Sequence, residues 1–597
     1  MTSRPASAGR ALRREWVLLV LLFAVLAALR LHALGADPPC DLQWHFIGDE
    51  GNWTHNARQQ ILFGHWIIDQ MNVPIFGAPL YTLALWAWYH GVGIGLVQTR
   101  LLAALSGLGT CALVFAVVRR LEGWGTALIA TTLLGVDYFM LSHNRVAFVE
   151  SFQLFFATAA CLTSVLAVER PAWALASGAS FVLALGAKVS AATIAPGLAL
   201  FWVLQLAYQA RDRGVRSVSP RAPLLFAAAA ATVTGVVAVG VVLPHWETVR
   251  AAWSMFGKTA DTGNILSNFG LLGIDSELRE RTRPGPNGLL QQSWPLLALA
   301  AIPAARALVR GGTRWRNPLL AMCACWVVGS LAVLGTQNSA QDRRYLLLLP
   351  PLAVLAALGL RSGGLALPSR EDASKTRSRW RRFALGAFLG AFAGLYLRTE
   401  ILPAARAPLS ALPIGAHTGL SDALLCLLIW AGCIAAGAGL GPVLWRLLPS
   451  RPISIPTPLV LALFVAVNVG RYAWHVLPPS YTMRDASREI ARLAERLPPD
   501  RRVAVGFAAD TFSLSSPLWA FEIRDWDWAH DYSNLDGWSR YHPSLVIGED
   551  PKVPGFEPLP PLEVARDCRG RPRVRLPLWI RSGVLAPEAG SGAAPPP

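Results

Sequence analysis

The sequence predicts a polytopic α-helical membrane protein of about thirteen transmembrane helices with a small C-terminal α/β domain outside the membrane. Three observations predict it. Of 597 residues, 53% are hydrophobic and only 15% are charged, against about 25% charged in a soluble globular chain. Apolar runs of roughly 20 residues recur, each able at about 1.5 Å per residue to cross a hydrocarbon core of about 30 Å. Such spans must be helical to satisfy their own backbone groups. Finally, the basic residues gather at alternate ends of these runs.

The spans in order are 16–34, 98–118, 124–141, 150–168, 172–186, 190–208, 222–243, 293–309, 317–335, 345–360, 383–397, 420–441 and 455–474. Placing the N-terminus in the cytoplasm puts Arg119–Arg120, Arg170, Arg211 to Arg221, Arg306 to Arg316, Arg361 to Arg382, Arg446 and Arg451 on the cytoplasmic side, as the positive-inside rule requires. Residues 79–97, PLYTLALWAWYHGVGIGLV, are apolar enough to span, but a crossing there would move Arg119 and Arg120 outside. The segment is therefore read as lying at the outer interface, anchored by Trp86, Trp88 and Tyr89. The first external loop then runs from about 35 to 97 and contains Asp49 and Glu50.

Residues 1–474 form the membrane domain, 475–585 an extracytoplasmic α/β domain, and 586–597 a disordered tail. Within the tail domain, 484–497 reads as an amphipathic helix, and RRVAVGF and SLVIG as strands. The net charge of +17 does not point to nucleic acid, because the basic residues follow span ends and no nucleic-acid-binding signature is present. Six of the eight cysteines lie in apolar runs as small hydrophobes. Cys40 and Cys568 fall in external regions, and no spacing rule pairs them. His45, His55 and His65 do not match a metal-ligand spacing.

Charges in or beside a membrane are costly, so each needs a reason. Asp49, Glu50, Arg100, Asp137, Arg145, Glu150, Lys188, Arg343 and Arg344 all fall at external span ends. A solvated boundary explains any one of them; carboxylates and cations gathered at one depth on one side fit an active site. Outside the cytoplasm an activated group must arrive on a lipid carrier. A lipid phosphate calls for Arg or Lys, and a carboxylate can take the proton of an attacking hydroxyl or amine. Phosphate leaves without a general acid, provided cations stabilise its growing charge. Glycosyl transfer from a polyprenyl phosphate meets these demands. The loop at about 244–292, with Lys258, could equally cap such a site or be solvated.

Several stretches over residues 16–360 resemble the GT-C glycosyltransferases of family 39, the bacterial relatives of protein O-mannosyltransferases and of the lipid A aminoarabinose transferase. They are GDEGNW…AR…GHW, APLYTLALWAWYHGVG…QTRLLAALSG, LSHNRVAFVESFQLFF, ALGAKVSAATIAP and RRYLLLLPPLAVLAA, in that order. The resemblance implies Asp49 as the catalytic carboxylate and Glu50 as its orienting or binding partner. Glu150 would be the second acid, where many members have Asp. Arg100, Lys188, Arg343 and Arg344 would contact the donor phosphate. Apart from the resemblance, Arg145, Tyr345 and Lys258 are candidate substrate-loop residues. Lys188 stands out because the chain otherwise prefers Arg, with four lysines among 54 basic residues. The resemblance implies no required cofactor or metal. The partners it implies are a polyprenyl-phosphate sugar, a protein, lipid or glycan acceptor, and membrane lipids.

Two other readings remain open on the residues alone. A transporter or flippase for a lipid-linked saccharide would favour repeats, broken helices and midplane polar groups. A polysaccharide polymerase or ligase would use a diphosphate-linked donor at the same face.

Overall fold

The computed structural model describes residues 6–38, 47–64, 66, 77–214, 218–247, 250, 293, 295–301, 317–334, 342–361, 364–366, 432, 435–440, 454–478, 488–489, 492–493, 496, 544–547, 555–564 and 574–584. The helices are α1 (Ala6–Leu31), α2 (Ile47–Phe63), α3 (Pro79–Val92), α4 (Leu96–Glu122), α5 (Trp124–Val136), α6 (Tyr138–Asn144), α7 (Val149–Glu169), α8 (Trp173–Ala187), α9 (Ala195–Arg213), α10 (Arg221–Val237), α11 (Pro318–Leu334), α12 (Leu349–Leu360) and α13 (Thr457–His475). Short 3₁₀ helices at Val189–Ile194 and Asp342–Leu348 lead into α9 and α12. The chain groups into two compact units. One comprises Met1–Arg30, Leu105–Asn144 and Glu150–Tyr472; the other comprises Leu31–Ala104, Arg145–Val149 and Ala473–Pro597.

Among the described residues, six helices are long and apolar enough to cross a membrane, or seven if α5 and α6 count as one bent span. The protein is a multi-pass membrane protein. Expected spans 98–118, 150–168, 190–208, 222–243, 345–360 and 455–474 each correspond to one of the six. Spans 383–397 and 420–441 lie outside the described residues except for 432 and 435–440, which are helical. Helix α8 has only 15 residues, about 22 Å of rise, shorter than the hydrocarbon core.

The expectation of one straight span over 124–141 needs correction, because α5 and α6 meet at an angle of 61°. Asp137 between them has extended backbone, φ −54° and ψ 124°. Its Oδ1 accepts the Met140 N–H at 3.2 Å and the Ser293 hydroxyl at 3.0 Å. The carboxylate thus starts the second helix as an N-cap, offering a local alternative to the continuous ladder.

The first unit packs around one apolar cluster that draws on α1, α4, α5, α7, α9, α11 and α12. Helices α9 and α11 approach unusually closely through Gly197 and Gly329: a Cβ at Gly329 would overlap the Gly197 backbone, and one at Gly197 would lie 2.6 Å from the Cys325 carbonyl oxygen. Small residues let membrane helices pack backbone to backbone. Replacing Gly329 with Val should therefore destabilise the protein by about 1–3 kcal/mol through overpacking, read as a lowered unfolding midpoint in detergent.

In the second unit, α3 is a 14-residue helix. It buries Tyr81, Thr82, Leu85 and Tyr89 and exposes Leu83, Ala87 and His90. Tyr89 is therefore not an interfacial anchor as expected. Its hydroxyl lies 2.5 Å from Thr99 Oγ1, and burial pushes the phenol above its ordinary range. Trp88 is half-buried and donates to the Gln98 carbonyl at 2.8 Å.

The tail contributes an antiparallel three-stranded sheet of order β3–β5–β4, with β3 Leu545–Ile547, β4 Phe556–Val564 and β5 Val574–Arg581; a separate pair joins β1 (Gly364–Ala366) to β2 (Ser454–Pro456). The SLVIG strand is β3. The sequence did not suggest β4 or β5, because each carries proline, which cannot donate to a ladder. Pro558 pairs in register with Trp579, and the other three meet at one irregularity: register shifts between Leu559 and Leu562, where Pro560 and Pro561 sit opposite Pro577. The RRVAVGF strand, the 586–597 tail, Cys40 and Cys568 lie outside the described residues, as does most of the 484–497 helix.

Candidate active site

Asp49 and Glu50 fall in the first turn of α2, where acidic residues complement the helix dipole. The Glu50 side chain is fully buried. Arg100, near the start of α4, donates Nε to its Oε1 at 2.8 Å and Nη2 to its Oε2 at 2.7 Å. This is a two-pronged pair of the geometry a guanidinium favours. Arg100 Nη1 also donates to the carbonyls of Leu34, at 2.9 Å, and Ala36. A third donor reaches Glu50: the Ala147 backbone N–H, at 2.5 Å from Oε1. One carboxylate thereby ties α2, α4, the 34–36 turn and the 145–149 segment together. Arg145 is buried in that segment, with Nη2 3.5 Å from the Ala33 carbonyl oxygen.

A second cluster lies within the first unit. Glu150 occupies the first turn of α7 and is almost wholly buried. Its Oε1 receives Lys188 Nζ at 2.5 Å and Arg343 Nε at 3.1 Å. Among the described residues its Oε2 meets no donor. Lys188 has extended backbone, φ −163° and ψ 133°, where α8 stops and the Val189–Ile194 turn begins. Arg343, Arg344 and Tyr345 follow one another on the Asp342–Leu348 3₁₀ helix. Arg343 is buried, and Arg344 and Tyr345 are half-buried. Arg344 is close enough for electrostatic interaction with both Glu150 and Arg343. Glu150 thus pairs with Lys188 and Arg343, with Arg344 close by. Lysine and arginine side chains gathered at one place are the groups that recognise an anion such as phosphate.

The structure thus brings Glu150, Lys188, Arg343 and Arg344 together, and separately Glu50 with Arg100. The Asp49 side chain and Lys258 lie outside what is described, as do His45, His65 and the His55 side chain. Among the described residues, no group of three or more His, Cys, Asp or Glu side chains is placed to hold a metal ion.

Two of the buried polar residues of the first unit that sequence reasoning did not single out, Arg30 and Gln153, lie in the core or beside these groups. Arg30 in α1 donates Nε to Asn144 Oδ1 at 3.1 Å and Nη1 to the carbonyls of Leu26 and Gly135 at 3.1 and 3.0 Å. Asn144 in turn donates to Ser151 Oγ at 2.9 Å. A charge inside the 16–34 apolar run was the signal for Arg30. The other is Gln153, a neutral amide that gives no such signal.

No protein-family model matches the chain, and no curated protein matches its sequence. Solved structures match it by fold. ArnT from Cupriavidus metallidurans in the apo state is 15% identical with a TM-score of 0.52, over 98% of this chain and 100% of that one. The same protein bound to undecaprenyl phosphate is 16% identical with a TM-score of 0.49, over 98% and 100%. The arabinosyltransferase EmbB from Mycobacterium smegmatis is 14% identical with a TM-score of 0.40, over 76% and 40%. Likeness at such identity concerns the fold alone. The fold of this chain is similar to that of apo ArnT.

Proposed function

We propose that this protein is an inverting glycosyltransferase of the family 39 type, moving a sugar from a polyprenyl-phosphate donor to an acceptor hydroxyl or amine at the outer membrane face. The observation that carries the reading is the convergence of Lys188, Arg343 and Arg344 on Glu150. A phosphate on a lipid carrier is the anion such a site suits in an apolar protein of this fold. Lys188, Arg343 and Arg344 contact that phosphate, and Glu150 holds Lys188 and Arg343 in place until it arrives. Asp49 takes the proton of the acceptor as its oxygen or nitrogen attacks the anomeric carbon. The bond from that carbon to the phosphate oxygen breaks, and polyprenyl phosphate leaves with the electron pair. Attack opposite the leaving group inverts the anomeric centre.

Glu50 and Arg100 act as positioning residues in this scheme. Pinning Glu50 fixes the rotation of the α2 backbone about its axis, and with it the residue before, Asp49. The expectation that Arg100 touches the donor phosphate gives way to this role, because its guanidinium already serves Glu50 and two carbonyls.

The bend at Asp137 favours a second reading, a transporter of a lipid-linked saccharide, since broken helices line transport sites. One experiment separates them. The protein, reconstituted in vesicles, is incubated with polyprenyl-phosphate sugars labelled in the sugar. A transferase releases unglycosylated polyprenyl phosphate and labels an acceptor, whereas a transporter leaves the donor intact and changes only its leaflet. Within the first outcome, Lys188→Ala should raise the donor KM by about tenfold to a hundredfold, as for one charge-assisted contact.

A further inference from the structure

We infer that Gln153 is a positioning residue that holds Lys188 ready for its anion, an inference that rests on the reading of Lys188 as a phosphate contact. Gln153 is buried on α7, one turn beyond Glu150 and therefore on the same side of the helix. Its Nε2 donates to the Lys188 carbonyl at 2.8 Å and to Ser190 Oγ at 3.1 Å. Ser190 Oγ lies 3.4 Å from Gln153 Oε1. The same stretch of α7 thus grips Lys188 twice, once by its ammonium through Glu150 and once by its backbone through Gln153.

The two grips differ in what an incoming phosphate does to them. A phosphate competes with Glu150 for the ammonium, so the ion pair loosens when the site fills. The amide bonds carry no charge and do not compete with it. Lys188 is the single extended residue between two helical segments; its N–H donates to the Ala184 carbonyl and its own carbonyl accepts the Ala191 N–H, and Gln153 adds the side-chain donor that ties this carbonyl to α7 beside Glu150. Gln153 keeps the backbone fixed while the side chain changes partner, which lowers the cost of binding by pre-organisation. A glutamine suits the task because one amide both donates to the carbonyl and can accept from the Ser190 hydroxyl.

The test measures equilibrium binding of undecaprenyl phosphate to the full chain in nanodiscs. The variants are Gln153→Met, which keeps the volume and removes the donors, Lys188→Ala, and the two combined. Gln153→Met should weaken binding about tenfold, the size expected for two neutral hydrogen bonds. In the Lys188→Ala background it should change binding less than about twofold, because its effect passes through Lys188. A purely structural role predicts a lowered unfolding midpoint and a full, additive loss in both backgrounds, and that result overturns the inference. Wild-type affinity in Gln153→Met, with binding lost in Lys188→Ala, would overturn it while leaving the phosphate reading intact. Equal binding by the wild type and Lys188→Ala would overturn that reading itself. If Gln153→Met does not fold, Ser190→Ala, which removes one of the two bonds, should weaken binding about threefold with the same dependence on Lys188.

Discussion

Replacing Asp49 with Asn should lower sugar transfer by about a thousandfold, within the range expected for loss of a general base. Affinity for the donor should remain within a few-fold of the wild type, because Asp49 acts on the acceptor. The pair of measurements is initial transfer rate with labelled donor and donor binding at equilibrium. An acceptor amine, more nucleophilic than a hydroxyl, should lose less. Transfer by Asp49→Asn within threefold of the wild-type rate would remove Asp49 from the chemistry and leave the cationic cluster without its reaction.

The second large effect concerns stability. Among the described residues, Arg100→Ala leaves the buried Glu50 carboxylate with the Ala147 N–H as its remaining donor, and should destabilise the protein by about 3–5 kcal/mol. Unfolding followed by tryptophan fluorescence in detergent reads this directly. Arg100→Lys should recover only part of the loss, since an ammonium cannot reproduce the two-pronged contact. The double replacement Glu50→Leu with Arg100→Met removes both charges and should regain most of the stability. It should stay poorly active, because α2 then lacks its fixed rotation. Unchanged stability in Arg100→Ala would mean that the pair is not a latch.

The membrane core was readable because it rests on composition. Hydrophobic runs ended by charge placed α4 and α7 within a few residues of Leu96–Glu122 and Val149–Glu169. Glu150, Lys188, Arg343 and Arg344 could be grouped for the same reason: ionisable groups at span ends stand out against an apolar background. Pairing was not readable. Glu50 and Arg100 are 50 residues apart, and nothing local says that the arginine serves the carboxylate instead of a ligand. The break at Asp137 was hidden because a lone acid near the end of an apolar run reads as its boundary. Asp137 caps through the Met140 N–H three residues on, and its burial is completed by the hydroxyl of Ser293, 156 residues away. Gln153 escaped notice because a neutral amide on an apolar helix carries no electrostatic signature; only the geometry of Lys188 gives it a role. Strands β4 and β5 were concealed by prolines, three of which, Pro560, Pro561 and Pro577, meet at one irregularity of the sheet.

The account depends most on the cations around Glu150 being a site for a lipid-borne phosphate, and headgroup selectivity tests that most directly. Purified protein in nanodiscs is titrated with undecaprenyl phosphate in competition with undecaprenol, the uncharged alcohol of the same chain. The account predicts saturable binding of the phosphate, no competition by the alcohol, and at least about tenfold weaker binding in Arg343→Ala, consistent with loss of a charge-assisted contact. Equal binding of the two lipids, or an Arg343→Ala variant that binds the phosphate as tightly as the wild type, would contradict it.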